Sequence, residues 1–115
     1  MRNEEFQIQV AVVNWFRAAF PQVLFTASAG GMRTSIGTGR KMKMMGYTAG
    51  CPDLIFFAPR GGFHGLLIEL KREGGTCSPE QKEFIMRANL AGYYAEFAFG
   101  CKDACDKIKK YMTLN

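Results

Sequence analysis

The stretch "GCPDLIFFAPRGGFHGLLIELK", residues 50–71, decides the fold. Two apolar runs flank "PRGGFHG" (59–65), a cluster of turn-forming residues that reads as the bend of a β-hairpin. "DLIFFA" (53–58) is apolar on both alternating faces, as a central strand covered on both sides should be. "LLIELK" (66–71) is then its antiparallel partner. Both strands carry a carboxylate at an edge, and a lysine follows the second by two residues. An unpaired charge inside a strand core costs several kcal/mol or shifts its pKa until it is neutral. Asp53, Glu69 and Lys71 therefore need either solvent or a function. The two-residue period places Leu67, Glu69 and Lys71 on one face and Leu66, Ile68 and Leu70 on the other, with Glu69 and Lys71 roughly 7 Å apart. If the turn closes the hairpin, Asp53, 16 residues before Glu69, reaches the same end of the pair.

Working upstream, Phe6, Val10, Val13, Phe16 and Phe20 recur at three- and four-residue spacing, which predicts a helix over Glu4–Phe20 ended by Pro21. Glu5 and Gln9 share a face of it, one turn apart. "VLFTAS" (23–28) reads as a short strand. Downstream, Ser78 is a natural N-cap, Pro79 suits the first helical position, and Gln81 completes an S-x-x-Q capping box. Phe84, Ile85, Ala88, Leu90 and Ala91 supply that helix's apolar side, and Gly92 stops it. "YYAEFAF" (93–99) alternates as a strand, and "CKDACDKIKKYM" (101–112) is an amphipathic helix with lysines late, where the helix dipole favours them. The expected order is α-β-β-β-α-β-α, an α/β fold with a small mixed sheet flanked by helices. At 115 residues the chain is expected to form a single domain, 1–115.

Composition narrows the class. A hydrophobic share of 48% and a charged share of 22% are those of an ordinary globule, with neither repeats nor low-complexity tracts. No apolar run approaches the length of a membrane span, and "MRNEEFQIQ" lacks the features of a signal peptide, so an intracellular, cytoplasmic protein is the expectation. Of the four cysteines, none forms a C-x-x-C pair and His64 is the sole histidine, so packing thiols are favoured over disulfides or zinc. The net charge of +5 is unevenly spread. Residues 6–52 contain no Asp or Glu but hold Arg17, Arg33, Arg40, Lys41 and Lys43, while the remainder balances. Four of these cations fall in "SAGGMRTSIGTGRKMKMMG" (28–46), whose Gly, Ser and Thr read as a mobile basic loop. Such a loop suits a phosphate backbone, where Lys and Arg gain affinity by displacing counterions; the alternative is a solvated loop with incidental charge.

Two carboxylates converging near phosphate make little sense without a cation. Mg²⁺ is held by one or two carboxylates, waters and phosphate oxygens, and it lowers the pKa of a coordinated water while neutralising transition-state charge. Lys71 adds a cation able to orient the attacking water. The competing reading is a surface Glu-Lys pair worth under about 1 kcal/mol, which leaves Asp53 unexplained.

Pro52-Asp53 followed by Glu69-x-Lys71 across a hairpin resembles the signature of the PD-(D/E)xK nuclease superfamily. More of the chain resembles its VRR-NUC branch: Glu5 and Gln9 on an N-terminal helix, a basic Gly-rich stretch leading to Gly50-Cys51-Pro52-Asp53, the E-x-K, the Ser78–Gln81 helix start, and Gly92 before the aromatic Tyr93-Tyr94. The likeness extends over about residues 4–98. It implies a restriction-endonuclease-like core in which Asp53, Glu69, the backbone carbonyl of Leu70 and Glu5 face Mg²⁺ or Mn²⁺. It also implies that Lys71 assists the nucleophilic water and that Gln81 positions the water or the scissile phosphate, although Gln81 is equally explained as a cap. Glu5 is preferred to Glu4 because of its spacing to Gln9.

Stand-alone members resemble Holliday-junction resolvases familiar from phage-type genomes. The implied function is a divalent-metal-dependent DNA endonuclease acting as a homodimer on branched DNA, without nucleotide cofactor or membrane. Arg33, Arg40, Lys41 and Lys43 would contact DNA; the sequence does not locate the dimer interface, for which the apolar sides of the first and last helices are the candidates. Alternatives are a less selective flap or duplex endonuclease, a non-catalytic nucleic-acid-binding subunit, or a basic module for an acidic protein.

Overall fold

The computed structural model describes residues 3–28 and 36–115. Its elements are α1 (Asn3–Ala19), β1 (Phe25–Ala27), α2 (Ile36–Met44), β2 (Leu54–Phe56), β3 (Leu66–Lys71), α3 (Pro79–Leu90), β4 (Tyr94–Phe99) and α4 (Cys101–Met112). The strands form one mixed sheet in sequence order, antiparallel from β1 to β3 and parallel between β3 and β4. The hairpin reading holds, with Leu54 opposite Ile68 and Phe56 opposite Leu66. A parallel pair requires a crossover, and α3 provides it.

The two faces of the sheet are covered unequally. Leu54, Phe56, Leu66, Ile68 and Leu70 face α1 and α4, where Val12, Phe16, Ile108 and Tyr111 complete a dry core. Phe16 meets the Phe56 ring edge-on at 4.7 Å, and the Tyr111 hydroxyl donates to the Ala58 carbonyl at 2.7 Å. Leu67 and Ala95 turn to the opposite face, where α3 contributes Ala88, Phe84 and Ile85. The alternation read from "LLIELK" thus separates the two layers, but every residue of β3 is buried. The four cysteines are free thiols. Cys101 and Cys105 do share a face of α4, with sulfurs 3.9 Å apart; burial first, then its neighbour, pushes the Cys105 thiol up to about 12.

Several expectations need correction. Residues 36–44, read as loop, are helical. Gly37 and Gly39 each disfavour a helix by about 1 kcal/mol, which is why composition suggested a loop. The following Arg, Lys and Met residues are good helix formers, and Lys41 and Lys43 in the last turn complement the dipole. Gly46, at φ 108°, ends it. The stripe on α1 is only partly core: Val12 and Phe16 are fully buried, but Phe6 and Val10 remain exposed, lining a groove beside β1. Leu90 and Ala91 are exposed at the end of α3. The apolar side of α4 is consumed by the chain's own core, with Ala104, Ile108, Tyr111 and Met112 all buried, which removes it as a dimer surface.

Candidate active site

The β2–β3 ladder stops at Leu54 opposite Ile68. One step further along the same register, Asp53 faces Glu69, so the two carboxylates become cross-strand neighbours at the end of the sheet. Beyond the ladder the Leu70 N–H has no strand to bond, and Asp53 Oδ2 accepts it at 2.8 Å. An extended residue turns its N–H and C=O to the same flank, so the Leu70 carbonyl shares the side occupied by Asp53. The Asp53 carbonyl in turn accepts from Ser28 N at 2.9 Å, tying the end of β1 to the site.

Two helices close on this point. From α3, Gln81 caps the helix and also reaches the carboxylates. Its Oε1 accepts from Ser78 N at 2.9 Å in a complete capping box, while its Nε2 donates to Glu69 Oε2 at 3.1 Å. From α1, Glu5 Oε2 accepts from Arg72 N at 3.3 Å and adds a negative field at both carboxylates. Gly50 explains how α3 comes so near. At φ 86°, it packs directly on the α3 backbone, where an added Cβ would lie 2.3 Å from the Glu80 carbonyl oxygen. Only glycine permits both that conformation and that approach.

Asp53, Glu69 and Lys71 are 6%, 5% and 8% exposed, and they are the only buried charged side chains among the described residues. Lys71 Nζ lies 3.9 Å from Glu69 Oε2, too long for a strong hydrogen bond. Burial, followed by the charge of Asp53, pushes the Glu69 carboxyl up to about 9. Burial also raises Asp53, against the opposing hydrogen bond from Leu70. Burial thus disfavours the charged form of both carboxylates, and the charge of Asp53 disfavours that of Glu69 further. That penalty expresses the need for a cation: two desolvated carboxylates with one lysine leave one negative charge too many.

The donor set is hard oxygen. Among the described residues no three His, Cys, Asp or Glu side chains converge to cage a metal by themselves. Two carboxylates and a carbonyl, completed by water and phosphate oxygens, fit Mg²⁺ or Mn²⁺ rather than a tetrahedral zinc site.

Residues 2–100 match the sequence profile of the VRR-NUC domain. The chain belongs to the VRR-NUC family. A solved structure described as a VRR_NUC domain protein is 31% identical, superposes with a TM-score of 0.83, and is matched over 100% of this chain and 93% of its own. No curated protein matches significantly. The α/β architecture and the nuclease-type fold of the VRR-NUC domain are thereby shown.

Sequence reasoning missed one neighbour of this VRR-NUC centre. Burial, followed by the charges of Cys51, Glu69 and Asp53, raises the phenol of Tyr47, after α2. No periodicity or charge pattern marks it; its place depends on the loop's path across α3. Arg40, Lys41 and Lys43 are exposed on α2, whereas Arg33 lies outside the described residues. No helix among the described residues is long and apolar enough to cross a membrane.

Proposed function

We propose that this VRR-NUC domain is a divalent-metal-dependent endodeoxyribonuclease that acts as a homodimer on branched DNA, four-way junctions included. One observation carries the reading: all the buried charge among the described residues is gathered at a single strand end, in the order Asp, Glu, Lys. Breaking such a cluster is costly and replacing it with apolar residues is often neutral, so stability alone gives no reason for it. A phosphodiester hydrolase has a reason.

In this mechanism Asp53, Glu69 and the Leu70 carbonyl hold Mg²⁺ or Mn²⁺, with Glu5 contributing charge from α1. The ion, when bound, lowers the pKa of water in its shell and offsets charge on the phosphate. Both carboxylates would hold the ion in their deprotonated form. Lys71 sits beside Glu69 and orients the attacking water or offsets charge developing on the phosphate oxygens. Gln81 holds Glu69 Oε2 in place and presents its amide edge to the same space. The exposed cations of α2 track the DNA backbone, a contact that reads charge and shape rather than sequence. Two copies related by a two-fold axis would present paired sites to opposing strands.

The test is cleavage of a synthetic four-way junction beside linear duplex, flap and single strand, with Mg²⁺, Mn²⁺ or EDTA. Paired cuts confined to the junction and abolished by EDTA are expected. Asp53→Asn should lose cleavage by at least about 100-fold while keeping or tightening DNA binding, since it removes a ligand and a repulsive charge together. Uniform cutting of every substrate would retain the hydrolase and discard junction selectivity. Binding without cleavage under any metal would favour a non-catalytic subunit.

A further inference from the structure

Beside Asp53 a groove of about 570 Å³ runs between α1 and β1, within the size range of small-ligand sites, roughly 300–1,000 Å³. The α1 wall mixes apolar Phe6 and Val10, which are 56% and 42% exposed, with polar Gln9, Asn14 and Arg17, and the β1 wall presents Phe25. Arg17 lies over the Phe25 ring at 5.6 Å and has no carboxylate partner among the described residues. Gln9 Oε1 is the one buried side-chain oxygen or nitrogen among the described residues that lacks a hydrogen-bond partner. A desolvated amide oxygen left open is uncommon in native structures and points to a donor supplied from outside.

We infer that this groove seats one unpaired nucleoside of the DNA strand, next to the phosphate held at Asp53. The inference rests on the nuclease reading and supplies the substrate feature that reading lacks. Three observations converge on this occupant. The groove opens onto Asp53, so whatever fills it is continuous with the reacting phosphodiester. Phe6 offers a ring to a base face, a sequence-tolerant contact because every base has one. Each of the four bases also carries an N–H donor on its pairing edge, which meets the orphan oxygen of Gln9, while Arg17 suits the flanking phosphate. A base inside intact duplex is stacked and paired, so delivering it is costly. A base at a branch, a flap or a single strand is already partly free. Preference for branched DNA then follows from the free energy of base extrusion, without any element that reads sequence.

The experiment is an abasic scan. Four-way junctions and flaps carrying one tetrahydrofuran residue at each position within a few nucleotides of the cut are cleaved by the wild-type chain and by Phe6→Ala. At one position the abasic residue should lower wild-type kcat/KM about tenfold. Phe6→Ala should show the same loss on normal DNA and no further loss on that abasic substrate, as for two changes that remove one contact. Phe6→Trp should restore the wild-type pattern. Equal melting temperatures for wild type and variants, expected for an exposed side chain, show that the fold is intact. A flat scan by an active wild type, or losses that simply multiply, overturns the groove assignment and leaves the nuclease standing. If the wild type cuts nothing, the nuclease reading falls, and the same abasic comparison made by affinity in EDTA still decides the groove.

Discussion

At the scale of the residue, one proton accounts for much of the site. Glu69 takes up a proton in the folded state to about pH 9, whereas in the unfolded chain it ionises in the ordinary carboxylate range. Between those limits the native state binds more protons than the unfolded one, so stability in the absence of metal falls as pH rises and levels off above about 9. Melting temperature followed in EDTA from pH 5 to 9.5 should decline, and Glu69→Gln, which imitates the protonated acid, should flatten that decline. A wild-type profile as flat as the variant's would mean the two carboxylates are better solvated than the geometry indicates. If Mg²⁺ binds the deprotonated pair as proposed, it should raise the melting temperature more at the alkaline end than at the acid end.

At the scale of the element, the site exists because a loop and a helix terminus touch. Gly50 brings the segment before β2 against the first turn of α3, and that contact sets Gln81 beside Glu69. Gly50→Ala meets the Glu80 carbonyl and adopts a strained positive φ. It should cost about 1–3 kcal/mol of stability, and the displaced Gln81 should lower kcat more than it raises KM. Loss of stability alone, with kcat intact in the folded fraction, would sever the link between this glycine and the catalytic geometry. The same scale explains how Gln81 can be a cap and also touch the carboxylates. A side-chain amide has two ends, and here one serves the helix while the other serves the carboxylate.

Across the whole molecule, the proposed approach of DNA follows the distribution of charge. The acid-free half of the chain carries the surplus cations, and α2 displays Arg40, Lys41 and Lys43 to solvent. Replacing all three with Ala should weaken binding to every DNA sequence alike and reduce the slope of log affinity against log salt by about 0.9 per lost phosphate contact, or roughly 2–3 in all. An unchanged slope would move the DNA path away from α2, towards the face bearing Arg17.

The hairpin, the E-x-K alternation, the capping box and the pairing of charged residues with a strand end were legible in "GCPDLIFFAPRGGFHGLLIELK" and "SPEQ" because each depends on local period and local hydrogen bonding. The sequence by itself therefore determined the strand order around the bend and which faces Leu67, Glu69 and Lys71 share. Only the tertiary structure decided the rest. Periodicity marks Phe6 and Val10 as apolar but cannot say that they line an open groove beside β1 rather than a closed core. Local composition made 36–44 a loop because Gly37 and Gly39 weigh against a helix, whereas the helix formers that follow them and the lysines of the last turn weigh for one. The coming together of Glu5, Asp53, Glu69 and Gln81 involves residues up to 76 positions apart, and such a meeting is fixed by how layers pack, for which spacing along the chain carries no signal.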